Sequence, residues 1–190
     1  MSVTVAIVYH SGYGHTERMM RAVADGAEGA GAAVHILKAA ELEHDTDDWA
    51  KLDQADAIVF GSPTYMGSVS GPMEVFFDKT SKPWMTGAWK NKIAAGFTNS
   101  GSPSGDKVVT MIRMVTVAAQ LGMIWVGFDQ PKADDGSMNR LGGYLGALAQ
   151  SDNAPPEEGN PPEADLNTAR AHGERIAQAT MRWQRGGIGG

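Results

Sequence analysis

The sequence contains no cysteine. Disulfide bonds, cysteine-ligated iron–sulfur clusters and catalytic thiols are therefore excluded. The chain also lacks any run of about eighteen apolar residues, so we expect no membrane span. Basic residues are few, because 16 Lys and Arg stand against 22 Asp and Glu, a formal net charge of −6. This balance argues against binding to nucleic acid, which requires a basic face.

The beginning of the chain also lacks a basic segment ahead of an apolar one. A strand pattern starts at once, so we expect no secretory signal and a cytoplasmic location. A length of 190 residues is typical of one domain. We expect residues 1–185 to form that domain and the glycine-rich residues 186–190 to be a flexible tail. No spacing of metal ligands stands out, and we expect no metal site.

Apolar strand patterns and helical patterns alternate along the chain, with Gly or Pro between them. This alternation predicts an α/β fold with a parallel sheet. The predicted strands are residues 3–9, 33–37, 57–61, 93–97 and 123–126. The predicted helices are residues 16–29, a short one near Trp49, one from Gly71 that ends at the Lys-Pro-Trp stretch 82–84, then 106–121 and 164–183. The long segment 129–162 is rich in Gly, Asn, Asp and Pro, and an apolar set within 139–149 is compatible with a further short helix.

The loop between the first strand and the first helix has the composition of an anion site. A strand, a Gly-rich loop and a helix N-terminus together offer free backbone N–H groups and the positive end of the helix dipole. Hydroxyl groups add donors, and glycines let the backbone approach a ligand. The candidate binding residues in this loop are Ser11, Gly12, Tyr13, Gly14, His15 and Thr16.

This loop differs from two well-known phosphate loops. No Lys follows a Gly, so it is not a Walker A loop, and Glu17 stands where the dinucleotide fingerprint has its third glycine. A phosphate held by hydroxyls and amides, without a basic residue, is typical of a terminal phosphomonoester. Flavin mononucleotide (FMN) is bound in this way at the switch point of flavodoxin-like sheets. A tight turn with no ligand remains the alternative.

Two further loops follow the third and fourth predicted strands and share this composition. In an open α/β sheet the carboxyl ends of the strands meet at one edge, where ligands bind. A planar heteroaromatic ring held by backbone groups and bordered by Tyr and Met requires such loops. The candidate residues here are Pro63, Thr64, Tyr65, Met66, Gly67, Thr98, Asn99, Ser100 and Gly101.

A spaced set of motifs runs through nearly the whole chain. Its members are Tyr-Gly-His-Thr at 13–16, Gly-Ser-Pro-Thr-x-x-Gly at 61–67, Gly-Pro-Met at 71–73, Phe-Asp at 77–78, Trp84, Thr-Asn-Ser-Gly at 98–101, Leu-Gly-Met at 121–123 and Ala-Arg-x-x-Gly at 169–173. The set resembles the WrbA-type NAD(P)H:quinone oxidoreductases of the flavodoxin-like superfamily. Residues 139–143, Asn-Arg-Leu-Gly-Gly, are similar to the related flavodoxin-like NADPH-dependent FMN reductases.

The resemblance implies a doubly wound, five-stranded parallel sheet of order 2-1-3-4-5 with helices on both faces. It also implies FMN as cofactor, NADH or NADPH as co-substrate, and two-electron reduction of a small quinone-like acceptor by ping-pong hydride transfer. The flavin carries that chemistry, so no side chain is assigned a catalytic role. Trp84 is the candidate wall of the acceptor space, although an aromatic packed under a proline turn is the commoner case.

The chain departs from the family pattern at the sites that would face the acceptor. Tyr65 and Met66 stand where the family often has Arg and then an aromatic, and Leu121 stands where it often has His. FMN binding is still expected, but the acceptor is left open. The alternatives are a flavodoxin-type one-electron carrier, a reductase that releases reduced FMN, and a protein that only senses a ligand.

The predicted helix 106–121 is apolar nearly all round. Its apolar residues are Val108, Val109, Met111, Ile112, Met114, Val115, Val117 and Ala118. Such a helix is buried on more than one face. We therefore expect a homodimer or homotetramer in which this helix packs against a second copy.

Overall fold

The computed structural model describes residues 2–152, 154–156 and 159–186. Its strands are β1 (Thr4–Tyr9), β2 (Ala33–Lys38), β3 (Ala57–Tyr65), β4 (Ser68–Val69), β5 (Ile93–Ser100), β6 (Ile124–Trp125) and β7 (Ala147–Gln150). Its α-helices are α1 (His15–Gly29), α2 (Asp47–Gln54), α3 (Gly71–Lys79), α4 (Ser81–Thr86), α5 (Lys107–Gln120) and α6 (Glu163–Gly186). A short 3-10 helix covers Ala39–Glu41.

The sheet has the order β2-β1-β3-β5-β6, and all of these pairs are parallel. The predicted order is confirmed, since the two-residue β4 forms only an antiparallel hairpin with the end of β3. Strand β5 is buried at every position, and β3 at every position except Tyr65. Central strands with this burial are covered by helices on both faces.

Alternate residues of the strands enter two separate hydrophobic cores. On β1, Val5 and Ile7 face a core formed with α1 and α6. Ala6 and Val8 face the other core, which contains the aromatic side chains of α2 and α3 and the methionines of α5. Because successive side chains of a strand point to opposite faces of the sheet, the residues of one apolar run pack against two different layers of helices.

The fifth position of the sheet is shared by two short strands. Strand β6 pairs with the beginning of β5, and β7 pairs with its end. The segment between them, residues 126–146, leaves the sheet and returns to the same position. A short helix within 139–149 is therefore wrong, because residues 139–146 contain no helix and residues 147–150 are strand. The backbone N–H and C=O groups at the end of β5 need hydrogen-bond partners, and β7 provides these partners.

Two other predicted boundaries were wrong. The Lys-Pro-Trp stretch does not end α3; it lies inside a separate helix, α4, where Pro83 is accepted because its missing N–H belongs to the first turn. Strands β3 and β5 continue past their predicted ends at 61 and 97. Their polar ends pair with each other through Ser62 opposite Thr98, so hydroxyl-rich residues that read as loop are strand.

The C-terminal helix is longer than predicted and includes Gly186, the first residue of the predicted tail. Residues 187–190 of that tail lie outside the described residues. Among the residues that are described, no helix combines the length and the apolar character needed to cross a membrane.

Candidate functional site

A cleft of about 660 Å³ opens at the carboxyl edge of the sheet, beyond the ends of β1, β3 and β5. The structure thus brings the three predicted loops together. The predicted residues that line the cleft are Ser11, Gly12, Tyr13, His15, Thr16, Pro63, Thr64, Tyr65, Asn99, Ser100 and Gly101. An additional wall follows β7 and consists of Ser151, Asp152, Ala154, Pro155 and Pro156.

The first loop closes on itself around one hydroxyl. Ser11 Oγ accepts hydrogen bonds from the backbone N–H of Gly14 at 3.0 Å and of Glu17 at 3.2 Å. In the described part of the chain, the backbone N–H groups of Tyr13, His15 and Thr16 have no acceptor. These donors lie at the N-terminus of α1, where the helix dipole is positive. The loop is therefore equipped to bind an anion without a basic side chain.

Gly14 precedes α1 with a φ of +89°, a left-handed conformation that favours glycine. A Cβ atom at this position would also lie 2.5 Å from Cγ of Pro156. The loop and the additional wall are thus in direct contact. His15 Nε2 forms a hydrogen bond of 2.9 Å with the carbonyl of Ala154, which joins them a second time.

The additional wall was missed by the sequence analysis. Residues 151–156 lie in a segment whose composition is typical of a solvated loop. Its one available signal was length, since a structureless stretch of more than about 15 residues is uncommon in a compact domain. Ser151 anchors the wall to β5, because its Oγ donates to Asn99 Oδ1 at 2.8 Å and its N–H to the Ser100 carbonyl at 3.1 Å.

Thr98 is placed differently from its neighbours. It is fully buried, and its hydroxyl lies 2.8 Å from that of Thr64, which in turn donates to Thr110 at 2.8 Å. Thr98 is not among the residues that line the cleft. It supports the lining from beneath, through a chain of three hydroxyl groups.

Two tyrosines border the opening of the cleft. The ring of Tyr13 meets that of Tyr65 edge to face, with 6.5 Å between their centroids. Burial raises the pKa of Tyr65, so its phenol stays protonated at neutral pH. Met66 and Gly67 form the turn between β3 and β4, with φ angles of +47° and +75°. Neither lines the cleft, and the Met66 side chain is fully exposed.

Trp84 does not line this cleft. It projects from α4 into a separate hollow of about 270 Å³, which Arg113 and Leu121 also line. Trp84 as a wall of the acceptor space therefore stays a prediction, since the cleft of its own chain does not include this residue. Trp84 lies outside the cleft because it belongs to the separate helix α4, and not to the end of α3 as predicted.

Charged residues behind the cleft were also missed. Lys107 is only 2% exposed, and burial lowers its pKa to about 8. Asp165, 1% exposed, forms an ion pair with Arg140 at 2.8 Å and accepts the backbone N–H of Gln150 at 2.9 Å. The sequence did not mark the burial of Lys107, because α5 also contains polar residues such as Thr110 and Arg113. Nothing in the local pattern marked the ion pair.

Comparison with known proteins agrees with this geometry. The model of the NADPH-dependent FMN reductase family matches residues 3–134. The chain is 40% identical over 177 residues to "Flavodoxin FldP" of Pseudomonas aeruginosa, covering 90% of this chain and 94% of that protein. It is 34% identical over 189 residues to an "NAD(P)H dehydrogenase (quinone)" of Methylocella silvestris, covering 92% and 95%.

Among solved structures, the chain is similar to the "flavodoxin, WrbA-like protein from Agrobacterium tumefaciens". The TM-score is 0.75 and the identity 42%, over 95% of this chain and 99% of that one. The predicted flavodoxin-like fold is confirmed by this match and by the strand order. The chain belongs to the NADPH-dependent FMN reductase family.

Proposed function

We propose that the protein is an FMN-dependent NAD(P)H oxidoreductase that transfers two electrons to quinones or similar small acceptors. The observation that carries this proposal is the cleft itself, with uncommitted backbone donors at Tyr13, His15 and Thr16. Its described lining contains no Lys or Arg, which fits a phosphomonoester bound by amides and hydroxyls. The names of the family and of the quinone-dehydrogenase relatives support FMN, NAD(P)H and a quinone.

The residues present fit FMN. The phosphate would be held by the loop 11–16, with Pro156 closing over Gly14. The ring system would be held by residues 63–65 and 99–101. The second of these segments is held by hydrogen bonds from Ser151 to Asn99 and from Gln150 to the Gly101 carbonyl. When bound, FMN supplies the hydride chemistry. The side chains of the cleft orient the ring and exclude water from one side of it.

The order of reaction follows from the size of the site. The described residues form one cleft at the carboxyl edge of the sheet and no second nucleotide-binding fold. NAD(P)H and the acceptor would therefore share one binding space, and we propose a ping-pong sequence. The described lining contains Asp152 and no Lys or Arg, so it has no permanently charged cation that would select the 2′-phosphate of NADPH over NADH. Both nicotinamides belong in the test, and the cytoplasm, which supplies both, is the proposed location.

We further propose that the chain works as a homodimer or homotetramer. The outer face of α5 exposes Val108, Val109 and Ile112, each about half exposed, and Trp84 and Met85 lie exposed on α4. A second copy packed here would bury apolar surface that is otherwise in water. It would also be the route by which Trp84 reaches an acceptor, since Trp84 lies outside its own chain's cleft. Sedimentation as a monomer at micromolar concentration with FMN bound would refute this.

A one-electron carrier is the second candidate, because the relative at 40% identity carries the name flavodoxin. An NAD(P)H:FMN reductase that releases its product is the third, from the family name. Steady-state oxidation of NADH and NADPH with a benzoquinone, with and without added FMN, separates them. We expect parallel-line kinetics that need no free FMN. Turnover proportional to free FMN identifies the reductase, and no NAD(P)H oxidation identifies the carrier.

A further inference from the structure

Lys107, the first residue of α5, places a buried ammonium group behind the wall of the cleft. Its Nζ donates to Ser100 Oγ at 2.6 Å and to the Ser102 carbonyl at 2.8 Å. Ser100 is one of the residues that line the cleft, so the ammonium group is bonded to the side chain of a lining residue. The turn that follows β5 is therefore held from behind by a charged group.

This charge has no counter-ion in contact. Within the described residues, no carboxylate forms an ion pair with Lys107. The nearest influences are Asp165 on α6 and Arg140 in the segment 126–146, which act in opposite directions on its pKa. The Asp165 carboxylate is already engaged by Arg140 and by the backbone N–H of Gln150.

A buried charge without a counter-ion is unfavourable for folding. Burial accordingly lowers the pKa of Lys107 to about 8. A neutral side chain would hold the same two oxygens without that penalty. The position of the charge is therefore better explained by what binds on the other side of Ser100 than by the stability of the turn.

We propose that Lys107 is a positioning residue of the cleft: it fixes the turn 100–102 and supplies the positive charge that stabilises reduced FMN relative to oxidised FMN. The inference rests on the proposed function, because it requires FMN in the cleft. Hydride transfer from NAD(P)H converts FMN to FMNH⁻ and NAD(P)H to NAD(P)⁺. The ring system gains one negative charge, and a preorganised cation nearby favours that form.

The direct test compares Lys107→Met with Lys92→Met. Lys92 is a matched control because it lies at the other end of β5, is partly buried, and donates to the carbonyls of Asp53 and Ala55. In Lys107→Met we expect reduced FMN to bind about tenfold more weakly relative to oxidised FMN, a fall of about 30 mV for a two-electron couple. Lys92→Met should leave the potential unchanged, and Lys107→Arg should restore most of the loss.

The dissociation constant of oxidised FMN, measured by fluorescence quenching, distinguishes a failure of the proposed function from a failure of the inference about Lys107. If the wild-type chain does not bind FMN, the proposed function and this inference fall together. If FMN binds but Lys107→Met shifts the affinity of both redox forms equally, the lysine only holds the turn and the inference is overturned. Equal potentials in Lys107→Met and Lys92→Met overturn it as well.

A second measurement needs no variant and so does not depend on Lys107→Met folding. Below pH 8 the lysine is charged in both redox states, and two electrons enter with one proton. Above pH 8 it is neutral beside oxidised FMN and regains its proton on reduction, so two protons enter. The slope of the wild-type potential against pH should therefore double between pH 8 and pH 9. A constant slope across pH 8 contradicts the inference.

Discussion

The two ends of the parallel sheet differ in whether the hydrogen bonds of their polar groups are completed within the chain. At the amino end, Asp56 accepts the backbone N–H of Thr4 and the amide of Gln184, both at 2.8 Å. At the carboxyl end, N–H groups of the loop 11–16 are left without acceptors among the described residues. The comparison teaches that similar polar residues stabilise the fold where their hydrogen bonds are completed and bind a ligand where they are not.

The largest expected effect is at the carboxyl end. Gly14→Asp should weaken FMN binding at least 1,000-fold, because the new carboxylate would face a phosphate dianion at a repulsion of roughly 4 kcal/mol for charges about 4 Å apart. Titration of the variant with FMN, followed by quenching of flavin fluorescence, measures this directly.

Two controls separate charge from space in that experiment. Gly29→Asp adds a carboxylate at the exposed far end of α1, where a Cβ meets nothing within 4 Å, and should leave FMN affinity unchanged. Gly14→Ala keeps the site neutral but strains φ and presses on Pro156, so it should give an intermediate loss. Equal losses in Gly14→Ala and Gly14→Asp would show that the repulsion argument is wrong.

Between the two ends, the core contains a histidine that is held in its neutral form. His172 on α6 is fully buried, and neither of its ring nitrogens has a hydrogen-bond partner within the described part of the chain. Burial, and then the positive charge of Arg175, lower its pKa to about 4, while the nearby backbone of Gly96 and then the charge of Asp129 act in the opposite direction. The Gly96 contact falls short of the geometry of a full hydrogen bond. An unfolded histidine titrates near pH 6.5, so the unfolded chain takes up the proton first as the pH falls.

The stability contributed by neutral His172 is therefore present above pH 6.5 and is lost as the pH falls toward 4. From pH 7 to pH 4 the free energy of unfolding should drop by about 3 kcal/mol through this residue. His172→Phe, which keeps the edge contact with Phe128 in an apolar form, should lack that part of the drop. Urea unfolding of both proteins at pH 4, 5.5 and 7 measures it, and matching pH profiles would disprove the assignment.

At the amino end the expected effect is on stability and not on binding. Asp56→Ala removes two hydrogen bonds to a carboxylate and should lower the free energy of unfolding by about 2 kcal/mol. FMN affinity should stay within about twofold of wild type, because binding at the other end does not use this group. Asp48→Ala is the control, since its ion pair with Lys51 is exposed on both sides and is worth less than about 1 kcal/mol. A large loss of FMN affinity in Asp56→Ala would break the comparison between the two ends.

The smallest effect on FMN is expected at Trp84. The side chain lies in a separate hollow, so Trp84→Ala should change FMN affinity by less than about twofold. If a second copy brings Trp84 to an acceptor, the variant should use quinone less well and sediment as a smaller species. An FMN affinity that falls tenfold would place Trp84 at the cofactor after all.

Periodicity predicted the strands and the main helices, because apolar runs such as Val5 to Val8 identify a strand covered on both faces. The order of the strands was predicted from the family resemblance. The sequence pattern also predicted the three loops of the cleft. It could not find β7 or the additional wall that follows it. Apart from Leu148, the residues of β7 are small or polar, and the strand forms because the end of β5 is open for pairing. The burial of Lys107 could not be predicted for a similar reason, because the burial of a charge is decided by tertiary contacts and not by the local sequence pattern.

The interruption of the fifth strand between β6 and β7 determines where residues can be inserted into or deleted from the chain. Residues 126 and 147 join partners on β5 that are three residues apart, about 10 Å along a strand. The segment between them is held at its base by the bond from Phe128 N–H to the Tyr144 carbonyl, at 2.9 Å. Doubling the length of such a loop costs only about 0.6 kcal/mol in closure entropy. Insertions and deletions can therefore accumulate here while both halves of the strand, and the wall that follows β7, keep their positions.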